Sequence, residues 1–295
     1  MSTTSVLDPI QQAAANGRVC ALAASGQRDL ARCRSAYPAL FPDDPFDATL
    51  LSNIALAIAF SEPGAEAEQL RTTNRLVLWG FALDWQVDRL AVDRVELDEL
   101  LRRQCAVAAG AVPEPGDALG SLLADIRAEL AAAPAFAALS GAWQEAVDRT
   151  LTAMSREWDW RADPGTAPDL DGYLANADNL ACTVVNVAHW IRTGGPEAAR
   201  HADRLVAASD AVQRALRLVN DLATVDRDVR TGDLNAILLV GDRAVVERHL
   251  AGVMTECGEL LAGLRPDAPR EVDYLSRQLG YTSGFYRSTD FWGVR

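Results

Sequence analysis

The chain has 295 residues, of which 41 are acidic and 28 are basic, so its formal net charge is −13. All of the basic residues are arginine, which excludes lysine chemistry such as a Schiff base or a P-loop, and the acidic balance argues against nonspecific binding to nucleic acid. No apolar run approaches the ~20 residues of a membrane span, and the N-terminus MSTTSVLDPIQQ lacks the basic and apolar regions of a signal peptide.

Apolar residues recur with helical spacing along most of the chain, whereas the alternation typical of strands is scarce. The segments with this spacing are Ile54–Phe60, Leu76–Leu90, Leu119–Leu130, Trp143–Trp158, Leu170–Ile191, Ala199–Val225 and Ala244–Leu264. Several are apolar on more than one face, which is typical of the interior of a large helical bundle. Because no change in composition marks a linker, we predict an all-α protein with a single domain over residues 1–295. Five scattered cysteines without a C-x-x-C pair favour free thiols and a cytoplasmic location.

The first acidic pair, Asp84 and Asp88, lies near the end of the second of these segments. On a helix the two carboxylates share one face, one turn apart. Spacing alone favours surface acids paired with Arg75 and Arg89. The apolar and aromatic neighbours favour a compensated buried site, for which a metal ion is one solution.

A second polar cluster lies on a later helix, where Asn220, Thr224 and Asp228 follow one another at intervals of four residues. They offer an amide oxygen, a hydroxyl and a carboxylate on one helix face, and these are donors suited to Mg²⁺. Arg227 would add a cation for a phosphate oxygen. The alternative is a polar helix end before Gly232, although the apolar residues before Asn220 argue against it.

The second cluster resembles the Asn-Asp-x-x-Ser/Thr-x-x-x-Glu metal motif of class I terpene synthases, and Asp84-x-x-x-Asp88 takes the place of the family's earlier Asp-rich motif. The two motifs occur in the family's order, and the resemblance extends from about Asn53 to Trp292. It implies the single-domain helical bundle of that family. It also implies an enzyme in which Asp84, Asp88, Asn220, Thr224 and Asp228 bind three Mg²⁺ ions and ionise an allylic isoprenoid diphosphate.

The resemblance has departures. The Asp-rich motif is shortened, the last acid of the second motif is Asp rather than Glu, and the C-terminal Arg-Tyr pair is absent. The arginine that senses the diphosphate in the family should follow Tyr173, but no arginine or lysine lies between Arg161 and Arg192. Asn176 and Asn179 are the polar candidates there, and we expect Arg227 and Arg287 to share the missing contact.

Aromatic rings are expected to line a pocket that holds the carbocation, because ring faces stabilise cations without acting as strong nucleophiles. For any one of these rings, ordinary core packing is the alternative. The candidates are Trp79, Phe81, Trp85, Trp158, Trp190, Tyr281, Phe285 and Trp292.

The shortened Asp-rich motif resembles that of bacterial diterpene synthases, so we expect a C20 substrate, either geranylgeranyl diphosphate or a bicyclic copalyl-type diphosphate. A bicyclic substrate would need a separate class II cyclase as partner, because the chain has no Asp-x-Asp-Asp motif. Small residues near the pocket helices agree with a long cavity: Gly80, Ala82, Ala175, Ala177 and Ala181. The family also makes a homodimer an expectation.

Three alternatives stay open. A sesquiterpene synthase would act on farnesyl diphosphate. A squalene-type enzyme would join two prenyl chains head to head, but its second Asp-rich motif is not matched between Asn220 and Asp228. A non-catalytic helical binding protein would explain the missing sensor arginine.

Overall fold

The structure, a computed structural model, describes residues 7–293 and contains helices and no strands in that range. Residues 1–6, which form half of the segment from which we expect no signal peptide, lie outside the described residues. The single domain over residues 1–295 therefore stays a prediction. No helix between residues 7 and 293 has both the length and the apolar character needed to cross a membrane.

Thirteen α-helices follow one another between residues 7 and 293. They are α1 Leu7–Ala36, α2 Ala48–Ser61, α3 Ala67–Trp85, α4 Arg94–Ala109, α5 Ala118–Ala131, α6 Phe136–Ala162, α7 Leu170–Leu174, α8 Cys182–Thr193, α9 Pro196–Arg200, α10 Ala202–Thr231, α11 Ala236–Val240, α12 Arg243–Leu264 and α13 Pro269–Tyr286. Aspartates begin many of these helices, since a carboxylate at the N-cap accepts the unpaired amide N–H groups of the first turn. Asp47, for example, accepts the N–H groups of Thr49 and Leu50 at the start of α2.

The helices enclose one main hydrophobic core, to which every element from α1 to α6 contributes together with α8, α10, α12 and α13. Helix α8 is buried on nearly all sides, from Thr183 to Ile191. Such a helix has no solvent face, so the other elements must pack around it. The prediction of an all-α bundle is confirmed.

Two predicted helices are interrupted where the sequence pattern is continuous. The segment Leu170–Ile191 divides into α7, a 3₁₀ turn Ala177–Leu180 and α8, and Ala181 between them has φ +57°. A residue in the left-handed region cannot continue a helix. The segment Leu76–Leu90 changes from α3 to a π-helical turn at Gln86–Leu90. Both interruptions lie beside the cavity described next.

Candidate active site

A cavity of about 560 Å³ lies between α2, α3, α6, α8, α10 and α13. Its volume is within the usual range of ligand pockets, roughly 300–1,000 Å³. Part of its wall is apolar, with side chains such as Ile54, Ile58, Val77, Val185 and Leu216. The charged part of its wall consists of Asp84, Asp88, Arg89, Glu157, Arg217, Arg227, Asp228, Arg230 and Asp233.

The first acidic pair lies at the transition from α3 to the π turn. Asp84 is the second-last residue of α3, and Asp88 lies within the turn, where the Ala91 N–H donates to the Gln86 carbonyl at 2.9 Å. The bond spans five residues, so the helix is locally wider than the regular α-helix that we predicted. Both carboxylates nevertheless line the cavity.

The arginines expected to neutralise these acids have other partners. Arg75 binds Asp29 and Glu129, and Arg89 lies 4.0 Å from Asp233. The interpretation of the pair as surface acids bound to these arginines is therefore wrong. Asp88 instead accepts from Arg161 of α6 at 2.6 Å.

Within residues 7–293, the structure gives the Asp84 side chain no hydrogen bond and no ion pair. Burial raises its pKa well above the ordinary value, and the nearby carboxylates of Asp88, Glu157 and Asp233 raise it further. The pKa of Asp88 is raised to about 6, chiefly by burial and against the opposing effect of Arg161. Burial therefore opposes the ionised form of both groups, and an additional cation beside them would favour it.

The second cluster lies on α10 and is internally hydrogen-bonded. The Thr224 hydroxyl donates to Asp228 Oδ2 at 2.7 Å, and Asn235 Nδ2 donates to the same oxygen at 2.9 Å. The Asn220 amide donates to the Tyr286 hydroxyl at 2.9 Å. Asn220 and Asp228 line the cavity, whereas Thr224 is buried behind Asp228 and is not part of the lining.

The two arginines expected at the diphosphate differ in position. Arg227 lines the cavity and bridges two acids, at 3.1 Å from Asp228 and 2.8 Å from Asp290. Arg287 is exposed at the C-terminal end of α13 and is not part of the cavity wall. Arg230 and Arg89, which the sequence analysis did not propose, do line it.

Arg217, a buried arginine on the cavity wall, was not among the residues predicted from the sequence. Its guanidinium donates to Glu157 at 3.0 Å and to the Tyr173 hydroxyl at 2.6 Å, and it lies 3.4 Å from Asp221. Burial of arginine is rare without paired acids. Its place between Leu216 and Leu218 of an apolar helix was the available signal.

The two asparagines of the interrupted segment also separate. Asn179 lines the cavity and donates to Glu157, which in turn accepts from Arg217. Asn176 is buried away from the cavity and donates to the Ala153 carbonyl at 2.9 Å. The structure therefore brings Asn179, but not Asn176, to the cavity.

The aromatic candidates divide into wall and core. Phe81, Trp85 and Trp292 line the cavity, and Tyr286 and Phe291 join them. Trp79 and Trp190 are almost fully buried core residues that do not line it. Trp158, Tyr281 and Phe285 lie outside the lining, and Tyr281 stacks on Phe60 and Phe285. For these five, core or interhelical packing describes the position better than a place on the cavity wall.

The donor groups fit a hard divalent cation. Carboxylate and amide oxygens are the ligands that Mg²⁺ prefers, commonly one or two carboxylates together with phosphate oxygens of the substrate. Between residues 7 and 293, no three acidic, histidine or cysteine side chains converge into a complete metal site. The donors are divided between the α3 end and α10, which leaves coordination positions for a diphosphate, and the unpartnered Asp84 carboxylate is consistent with this.

A family comparison agrees with this geometry. The sequence profile described as "Terpene synthase family 2, C-terminal metal binding" matches residues 75–244, a range that includes both polar clusters. The chain belongs to this terpene synthase family. It is therefore an enzyme that ionises an isoprenoid diphosphate and cyclises the resulting carbocation, and residues 75–244 match the family's metal-binding region.

A curated relative, ent-pimara-9(11),15-diene synthase from Streptomyces sp. strain KO-3988, is 28% identical over 281 residues, with 90% of each chain covered. Among solved structures, linalool/nerolidol synthase from Streptomyces clavuligerus is 19% identical with a TM-score of 0.75, covering 90% of this chain and 98% of that one. The corresponding values for 2-methylisoborneol synthase from Streptomyces coelicolor A3(2), solved with Mg²⁺ and 2-fluoroneryl diphosphate, are 15%, 0.72, 90% and 91%. At these identities the structural likeness establishes the fold, and it confirms the helical bundle of class I terpene synthases.

Proposed function

We propose that this enzyme ionises a C20 allylic diphosphate in the presence of Mg²⁺ and cyclises the carbocation to a diterpene. The observation that carries the proposal is the cavity itself, which is lined both by an unpartnered carboxylate, Asp84, and by the Asn220 and Asp228 cluster. The solved relative that holds Mg²⁺ and a fluorinated prenyl diphosphate supports the metal. We propose three ions, following the family resemblance.

In this proposal Asp84, Asp88, Asn220 and Asp228 hold the metal ions, and Thr224 orients Asp228. The ions neutralise the charge that develops on the leaving diphosphate. Arg227 and Arg230 line the same cavity and bind diphosphate oxygens through charge-assisted hydrogen bonds. Arg287 joins them in the proposal only if the exposed end of α13 moves toward the cavity.

The rest of the wall serves the carbocation. Phe81, Trp85 and Trp292 present aromatic rings to the cavity, and ring faces attract a cation without forming a bond to it. The aliphatic side chains exclude water, which would otherwise end the cyclisation early. This chemistry needs no further cofactor.

Two observations support C20 over shorter chains. The curated relative is named for a pimaradiene, which is a diterpene. Two of the small residues singled out in the sequence, Gly80 and Ala181, lie on the cavity wall, while Ala82, Ala175 and Ala177 do not line it. The second candidate is a C10 or C15 substrate, favoured by the linalool/nerolidol synthase that shares the fold.

The test is side-by-side turnover of C10, C15, linear C20 and bicyclic C20 diphosphates, with diphosphate release and extracted products measured. We expect release only with Mg²⁺ or Mn²⁺, loss of release in excess chelator, and the highest kcat/KM for a C20 substrate. A kcat/KM for the C15 substrate about tenfold above both C20 values, or ~1.4 kcal/mol, would refute the chain length. Turnover of the bicyclic substrate alone would support a class II cyclase as its supplier.

A cavity variant sharpens this test. A Cβ at Gly80 would lie 3.8 Å from the Ala181 Cβ, an ordinary contact, so an alanine fits there and a leucine extends into the cavity. We expect Gly80→Leu to lower kcat/KM for C20 more than for C15, with Gly80→Ala as the control. Equal effects of Gly80→Leu on both substrates would mean that this wall does not measure chain length. The homodimer stays a prediction, to be tested by the mass of the protein in solution.

A further inference from the structure

A chain of buried polar side chains runs from the protein surface to the cavity. The Thr183 hydroxyl donates to Asp210 at 2.8 Å and lies 3.0 Å from the Ser209 hydroxyl. Asn186 Nδ2 donates to Ser209 at 2.8 Å, and Asn186 and Gln278 exchange two hydrogen bonds, at 3.1 and 3.0 Å. Of these five residues, only Gln278 lines the cavity.

The chemistry of the chain fixes the direction of every hydrogen bond in it. Asp210 is paired with Arg149 at 2.9 Å and accepts a hydrogen bond from Thr183. The single hydroxyl proton of Thr183 is therefore engaged in the bond to Asp210. Ser209 must then donate to Thr183 and accept from the Asn186 nitrogen. The Asn186 oxygen is thereby turned toward Gln278, whose amide nitrogen donates to it.

Gln278 consequently presents its carboxamide to the cavity in one orientation. One N–H and one lone pair of its amide remain outside the exchange with Asn186. Gln278 precedes Tyr286 by two helical turns, about 12 Å along α13, and Tyr286 hydrogen-bonds Asn220. The carboxamide thus lies two helical turns of α13 away from the Tyr286–Asn220 contact, and Thr282, midway between them on α13, also lines the cavity.

A buried polar network of this kind is costly unless every member is satisfied, and when satisfied it fixes one arrangement. Asn186 and Ser209 are fully buried, so apolar residues would fill the same space without the need for matched partners. A purely structural network does not require a member on the cavity wall. The position of Gln278 therefore indicates that the orientation of its amide matters to the occupant of the cavity.

We propose that Gln278 is a specificity-determining residue, whose fixed carboxamide dipole stabilises positive charge at one region of the cyclising carbocation and thereby selects the product. The inference rests on the function proposed above. The interaction is electrostatic, with no bond formed to the amide and no proton taken by it. Diphosphate departure occurs at the charged end of the cavity and does not depend on this residue.

The test compares Gln278→Met with Gln213→Met. Gln213 is a matched control, because it is a buried glutamine of the same polar region that accepts from the Thr183 N–H at 3.0 Å and does not line the cavity. We expect Gln278→Met to change the ratio of the two main products by at least about fivefold, with diphosphate release within roughly threefold of the unaltered enzyme. Gln213→Met should leave the product ratio unchanged.

In Gln278→Met the buried Asn186 amide keeps its bond to Ser209 but loses both bonds to Gln278, which destabilises the fold. If Gln278→Met does not fold, the double variant Asn186→Leu with Gln278→Met removes both amides and gives the same readout. An unchanged product ratio in the folded variant, or an equal change in Gln213→Met, would overturn the inference. An enzyme that releases no diphosphate from any substrate would instead refute the proposed function, and this inference with it.

Discussion

The Asp84 carboxylate lies beside three other acids, Asp88, Glu157 and Asp233, and the nearby Arg161 only partly offsets their effect on its pKa. Because its pKa and that of Asp88 are raised, the ionised forms destabilise the metal-free fold. This cost begins near the ordinary pKa of about 4 and grows as the pH rises toward the pKa of the folded state. It is a cost that a bound cation removes.

We therefore expect Asp84→Asn to raise the melting temperature of the metal-free protein by about 2 °C or more near pH 7.5. The rise should be smaller near pH 5.5, where the native carboxyl groups are closer to protonated. Asp98→Asn, at an exposed acid of α4, is the control. Thermal unfolding of both variants at the two pH values, in chelator, measures the effect. A lower melting temperature in Asp84→Asn at both values would mean that the acid is satisfied within the protein.

The second cluster offers a comparison on a single helix. We expect Asn220→Ala and Asp228→Ala each to lower kcat at least about a hundredfold. Each change removes a proposed oxygen ligand of the Mg²⁺ ions that neutralise the charge on the leaving diphosphate. Asp226→Ala is the matched control, since Asp226 is exposed on the same helix two residues before Asp228. Steady-state kinetics of the three variants measures the effect on kcat, and circular dichroism checks that each variant is folded. Normal rates in both variants would make the cluster structural.

At the level of elements, one arginine joins pieces of chain that are far apart in sequence. Arg217 of α10 connects α6 through Glu157 and α7 through Tyr173, and also contacts the Leu234 carbonyl before α11. The interrupted segment between α7 and α8 is thereby attached to the helix that carries Asn220. We regard Arg217 as a residue that positions this wall of the cavity.

Arg217→Gln is expected to destabilise the protein by about 3 kcal/mol, because it leaves buried acids without their partner. Glu157→Gln together with Arg217→Gln should cost less than the sum of the single changes, with a coupling of about 1 kcal/mol or more. Arg149→Gln is the control, since Arg149 also binds two acids but does not line the cavity. Urea unfolding gives the free energies. Strict additivity would show that the two side chains do not act together.

The elements also indicate how far the sequence predicts the structure. Apolar spacing located most of the interior helices, but it missed α1, α4 and α13, where polar residues interrupt the pattern, and the short α11. It also ran through the break at Ala181, because a left-handed alanine has no distinctive neighbour pattern. The two polar clusters were predictable because together they resemble the family's metal motifs in the family's order, although the spacing of Asp84 and Asp88 alone favoured surface acids. Arg217 was not predictable, since its partners Glu157 and Tyr173 come from other elements.

At the scale of the whole molecule, the C-terminal end of the described chain packs against α2 and the segment before it, at the wall of the cavity. The Asn53 amide donates to the Phe291 carbonyl at 3.1 Å, and Trp292 packs edge-on against Phe46. Asp290 is buried and accepts from Arg227 at 2.8 Å. The C-terminal segment thus contacts both α2 and α10 and also lines the cavity.

The Arg227–Asp290 ion pair therefore links two parts of the site, since the same guanidinium contacts Asp228 and the segment whose Phe291 and Trp292 line the cavity. Removing the Asp290 charge should loosen Phe291 and Trp292, which line the cavity. Water would then reach the carbocation more often, and its capture yields an alcohol in place of a hydrocarbon.

We expect Asp290→Asn to raise the alcohol share of the products at least about threefold and to lower kcat/KM about tenfold, or ~1.4 kcal/mol. Asp273→Asn is the control, because Asp273 lies on α13 in an exposed pair with Arg265. Products formed in ¹⁸O-labelled water identify the source of the hydroxyl oxygen. A product profile identical to that of the unaltered enzyme, with no increase in labelled alcohol, would mean that this ion pair does not keep water out. An increase in labelled alcohol confined to Asp290→Asn would connect the C-terminal segment to the protection of the carbocation.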